Sequence, residues 1–286
     1  MSQNSLHASS NSLTSEQIDA LWTIHELTEA QTKLKNAIAV YPGSTDELRT
    51  QIARSLGLQG RFDEAWEELS KIPNVHSPIV EIRMQIEKGR LTNSSGNRND
   101  AKPYFLKAIA LAEQEHFDVY AVDAAHMMGI VSEGRESVLW NEKALQIAAK
   151  SEDSRAQKWK GSLLNNVGWT YFSMGDFNTA LTTFESALGF QQAAGDPVRI
   201  RIARWTVARC FRALKRYDDA IAIQTDLIQY PEQGYVSEEL GELLLVTGRS
   251  VEAKPQFRKA YELLSQKLGS DPSAATRLAR LKELSQ

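Results

Sequence analysis

Apolar and small residues recur along this chain at helical spacing, in paired segments separated by short glycine-polar turns. The clearest pair runs from Leu163 to Leu188, LLNNVGWTYFSMGDFNTALTTFESAL. Leu164, Val167-Gly168 and Tyr171 fall three or four residues apart in its first half, and Phe177, Ala180, Phe184 and Ala187 do so in its second. That period marks one face of an α-helix. Gly175 suits the positive φ that ends a helix, and Asp176 suits the N-cap of the next. Two helices folded back on each other here must approach closely. Gly168, Ala180 and Ala187 keep the backbones near, while Tyr171, Phe177 and Phe184 fill the space around them.

Sliding this frame along the chain finds six further pairs. Their equivalents of Ala180 are Ala30, Ala65, Ala101, Ser137, Ala220 and Ala253. The position twelve residues earlier, Gly168 in the parent pair, reads Ile18, Ala53, Gly89, Ala125, Ala208 and Gly241. The position of Ala187 reads Ala37, Ile72, Ala108, Ala144, Leu227 and Ala260. The fourth pair is degenerate: its turn, SEGRES, lacks the aromatic, and Asn141 replaces the phenylalanine. The first reads either as a hairpin or as one long helix from Ser15 to Val40.

A leucine residue, Val-Gly, Tyr, Gly-Asp-Phe, Ala, Phe and Ala at these offsets closely resemble the tetratricopeptide repeat. The resemblance implies an all-α, right-handed superhelical solenoid of about seven helical hairpins, spanning 14–272, with a capping helix over 273–286 that solvates the open end. Intervals between the Ala180-equivalents are 35, 36, 36, 43, 40 and 33 residues. Such drift is closer to peptide-sensing regulators and kinesin light chains than to the strict 34-residue repeat. The long steps, at Ala148–Trp159 and Gln191–Ile202, predict lengthened helices or loops on both sides of the fifth pair.

Charge and composition narrow the function. With 33 basic and 36 acidic residues, the net charge is −3. That lacks the basic footprint of a nucleic-acid-binding protein. One cysteine, Cys210, excludes an intramolecular disulfide framework and reads as a buried packing residue. No apolar stretch approaches the length of a membrane span. Residues 1–13 read as a disordered leader without signal-peptide character, and the expected location is the cytoplasm. The five histidines are scattered, no phosphate-binding or nucleophile motif occurs, and no metal or cofactor is expected. Together with the resemblance, this makes the chain a binding protein and not an enzyme, acting as a static scaffold, as a peptide-responsive sensor or regulator, or by self-assembly.

In proteins of this family the first helix of each hairpin lines the concave face. Carried over, that frame places Arg54, then Arg83, Glu87 and Arg90, then Asp123 and His126 in the groove of the second to fourth pairs. The fifth pair contributes Asn165, Asn166, Trp169 and Phe172, the sixth Trp205, Arg209 and Arg212, and the seventh Glu238, Glu239 and Glu242. A chaperone carboxylate clamp is not implied, because from the second pair onwards the clamp's lysine position holds Thr50, Ile86, Val122, Asn165, Trp205 and Glu238. Between Pro197 and Tyr217 stand seven basic residues and no acidic one. Aromatic anchors beside arginine are the usual content of interface hot spots. Paired amides can bond an extended peptide, and the forks of Arg209 and Arg212 suit an acidic side chain or chain end. Two other readings remain open at this level. The two arginines could pair with Glu239 and Glu242, or a one-residue shift of frame could bury Trp169 and Trp205.

Overall fold

The computed structural model describes residues 11–23, 26–74, 77–231, 234–269 and 271–286, and these residues form helices and turns without a strand. Of the leader expected over 1–13, residues 1–10 lie outside the described residues. Leu13 donates its backbone N–H to Ser44 Oγ at 2.8 Å, and the Gly43 amide reaches the carbonyl of Asn11 at 2.9 Å. His7, His25 and His76 also lie outside the described residues.

The chain divides into two compact units, 1–159 and 160–286. The first unit begins with a five-residue helix, α1 (Ser15–Asp19), and α2 (Leu27–Val40), so the opening pair is a hairpin with a shortened first arm. Then follow α3 (Thr45–Leu58) with α4 (Phe62–Ser70), α5 (Pro78–Ser94) with α6 (Arg98–Gln114), and α7 (Asp118–Val131) with α8 (Gly134–Lys150). The longest interval between pairs is filled by an extra turn of helix, α9 (Ser154–Gln157).

The second unit contains α10 (Lys160–Ser173) with α11 (Phe177–Ala194), α12 (Pro197–Ala213) with α13 (Tyr217–Leu227), and α14 (Gly234–Val246) with α15 (Ser250–Leu268). Its last helix is α16 (Ala275–Leu284), which packs on α15. The second long interval holds two long helices, α11 of 18 residues and α12 of 17.

Every frame position is inside. Ala30, Ala65, Ala101, Ala180 and Ala220 have no exposed surface, and Ser137 and Ala253 retain 7% and 1%. The small residue opposite is a steric requirement. A Cβ on Gly168 would run into the ring of Phe184, itself fully buried, and one on Gly241 would stand 2.8 Å from Phe257. The turns follow from local chemistry. Gly175 takes φ +80° and Asp176 accepts the Thr179 amide at 3.1 Å, capping α11. In the sixth pair the turn position is Lys215, held at φ +61° without glycine's freedom. Among the described residues no helix is long and apolar enough to cross a membrane.

Candidate functional site

In the second unit, α12 is launched by Asp196, whose carboxylate accepts the amides of Val198 and Arg199, with Pro197 in the first turn. That start sets which face of α12 is free. Ala203, Val207 and Cys210 turn into the core, while Trp205, Arg209 and Arg212 line a cavity of about 290 Å³. Trp205 is anchored by its indole N–H on the carbonyl of Tyr235, at 3.2 Å. Trp169 and Trp205 are half-buried and packed ring to ring at 6.1 Å, so neither is fully enclosed in the core.

The Arg209 guanidinium lies over three rings, 5.3 Å from Trp169, 5.8 Å from Phe172 and 5.2 Å from Trp205. Burial, aided by the positive charges of Arg212 and Arg277, pulls its pKa below the usual arginine value. The opposing charges are unequally shared. Arg212 takes both oxygens of Glu239, at 2.5 and 3.1 Å, and that pairing outweighs burial to raise its pKa. Arg209 stands 3.5 Å from the same carboxylate, and its Nε has no hydrogen-bond partner among the described residues. Glu242 does not join this pair as the sequence allowed. It is taken by Arg280, and Glu238 by Arg277, both from α16. The cavity is thus lined by Arg209, Arg212, Arg277 and Arg280 against Glu238, Glu239 and Glu242, four positive charges to three negative.

Asn165 and Asn166 stand half-buried on α10 and are not part of that cavity's wall. Arg90 and His126 belong to the first unit. Arg90 is committed there: it binds Asp123 at 2.6 and 2.8 Å and also pairs with Glu87. Burial works against both charges, yet the pairing prevails, raising the Arg90 pKa and lowering that of Asp123. His126 packs on Trp159 with ring centres 5.1 Å apart, and burial holds its pKa below the usual histidine value.

The first unit has a second cavity, of about 380 Å³, whose wall includes Arg54, Arg83, Glu87, Arg90 and Asp123 of the residues the sequence placed in the groove, but not His126. Sequence reasoning missed the residues that close it. Asp19 bridges Arg83 at 2.7 Å and Arg155 at 3.2 Å, tying α1 to α5 and α9. Arg83, 3% exposed, also faces Glu47 at 2.9 Å and donates to the Tyr120 hydroxyl. Trp22 and Trp159 complete the wall. The partners of Asp19 lie 64 and 136 residues away, so no local pattern could have signalled them.

The family model described as tetratricopeptide repeat matches residues 168–233. Comparison with curated proteins yields no match. Among solved structures, the chain is similar to a signal transduction ATPase with numerous domains from Pyrococcus horikoshii that carries a tetratricopeptide repeat sensor, with TM-score 0.66 and 16% identity. That match covers 88% of this chain but only 45% of the ATPase, so this chain spans less than half of it. It is also similar to the apo form of the quorum sensor NprR from B. thuringiensis, with TM-score 0.63 and 14% identity over 94% of this chain and 80% of NprR. NprR in complex with its cognate peptide NprX aligns with TM-score 0.54 and 14% identity over 95% and 88%. Residues 168–233 are tetratricopeptide repeats, and the chain has the all-helical repeat fold of tetratricopeptide repeat proteins.

Proposed function

We propose that this chain works by binding and not by catalysis, and that its second unit captures a peptide or partner segment presenting a carboxylate beside an apolar side chain. The observation that carries this reading is Arg209, a guanidinium walled by Trp169, Phe172 and Trp205, left without full neutralisation at the edge of an open cavity. Rigid aromatic surface with a desolvated arginine is where interface binding energy concentrates. An incoming carboxylate would add the charge partner that Glu239, held closely by Arg212 and 3.5 Å from Arg209, supplies only in part.

The test is an array of peptides combining acidic, neutral or basic residues with apolar ones, probed with the intact chain and with a Trp169→Ala/Arg209→Glu chain. Acidic-apolar peptides should be selected, and the double variant should lose them. Binding indifferent to peptide charge, or undiminished in the variant, would sink the assignment. A second reading, a ligand-responsive sensor, draws on the similarity to NprR, a quorum sensor solved with its cognate peptide. It requires that a selected peptide change the small-angle scattering of the chain; an unchanged profile leaves a static binding module.

A further inference from the structure

The first unit holds a feature that the peptide-binding reading of the second does not use. Its cavity is lined by four arginines, and three of them are occupied: Arg83 by Asp19 and Glu47, Arg90 by Glu87 and Asp123, Arg155 by Asp19 and Asp153. The fourth, Arg54, has no hydrogen bond or ion pair among the described residues. Its guanidinium lies 5.3 Å from the centre of the Trp22 ring. The charge of Arg90, and then burial, push its pKa below the usual arginine value; Glu87 and Asp123 pull the other way but are already engaged by Arg90.

The shape of the cavity limits what can enter. On an open repeat groove the first helices would splay and admit an extended chain. Here the bridges from Asp19 to Arg83 on α5 and to Arg155 on α9 tie the start of the unit to its later helices. What remains, about 380 Å³, falls at the low end of small-molecule sites, which run to about 300–1,000 Å³. Leu58, Ile86, Val119, Trp22 and Trp159 give it apolar walls. One unneutralised guanidinium calls for one negative charge, whereas a dianionic phosphate would need at least a second free donor. The Trp22 ring stands 5.3 Å from the Arg54 guanidinium, whose planar fork matches a carboxylate.

We infer that the first-unit cavity is a separate site for a small amphipathic monocarboxylate, its carboxylate on Arg54 and its apolar body between Trp22, Ile86 and Trp159.

The experiment titrates the full chain calorimetrically with 3-phenylpropanoate and with 3-phenylpropanamide, an uncharged analogue of nearly the same shape. The acid should bind saturably and at least about tenfold more tightly than the amide, a difference of about 1.4 kcal/mol. Arg54→Met should erase that difference by weakening the acid alone, and Arg54→Lys should keep a preference for the acid. If Arg54→Met loses its helical circular dichroism, the acid-to-amide ratio of the unaltered chain and of Arg54→Lys decides. The Trp169→Ala/Arg209→Glu chain should still bind the acid, which separates this site from the proposed peptide surface. Equal affinities for acid and amide, absence of saturable binding, an unchanged Arg54→Met, or loss of binding in the second-unit variant would each overturn the inference.

Discussion

Gln224 offers the sharpest test of the packing logic. It occupies the position that Phe184 fills in the preceding pair and Phe257 in the following one, on the buried face of α13 between Ala220 and Leu227. It has no exposed surface, and neither its Nε2 nor its Oε1 has a hydrogen-bond partner among the described residues. Each unpaired buried polar group costs about 1–3 kcal/mol of desolvation that nothing returns. Leucine at this position occupies similar volume without either group, so Gln224→Leu should stabilise the second unit by about 1–3 kcal/mol, after allowing for imperfect repacking. Guanidinium denaturation followed by far-UV circular dichroism reads this as a higher midpoint at unchanged slope. Heating should show a Tm several degrees higher. Gln224→Glu, which places a charge there, should do the reverse and more strongly. A Gln224→Leu chain that is no more stable than the original, or less, would mean that the amide is paired in solution and that the assigned face of α13 is wrong.

Two glycines give a paired test of close approach. Gly168→Ala should lower stability, because overpacking against Phe184 costs about 1–3 kcal/mol and exceeds the helix-propensity gain. Gly189→Ala, on the exposed face of α11 with nothing within 4 Å of the new Cβ, should raise it by about 0.5–1 kcal/mol. Lys215→Gly relieves a left-handed conformation at φ +61° and should stabilise by up to about 1 kcal/mol in the same denaturation assay. His126 has a folded pKa below its unfolded value, so its neutral form is favoured in the native state. Its contribution is fully present above the unfolded pKa of about 6.5 and is lost as pH falls from there toward the folded pKa. Melting between pH 7 and 5 should therefore show falling stability, and His126→Gln should flatten that slope. Cys210 is fully buried and its thiol is pushed up to about 11, so a thiol reagent should label it only on unfolding.

The repeat was legible in the sequence because its determinants are local. Gly175 and Asp176 shape a turn through their own backbone and side chain, and Gly168 meets Phe184 because two helices joined by that turn must return on each other. Those contacts span a few tens of residues at most, so their spacing survives as a readable period. The candidate second-unit residues were legible in part for the same reason: a helical frame places Trp205, Arg209 and Arg212 on one face without knowledge of what stands opposite. What stands opposite was decided only in three dimensions. Glu239 goes to Arg212, Glu242 to Arg280 and Glu238 to Arg277, each choice made between helices that the chain brings together after folding. Asp19 reaches Arg155 across 136 residues on the wall of the first-unit cavity, where Arg54 has no hydrogen bond or ion pair among the described residues. Periodicity can say that a side chain faces the groove; it carries no information about which opposite charge reaches that side chain first.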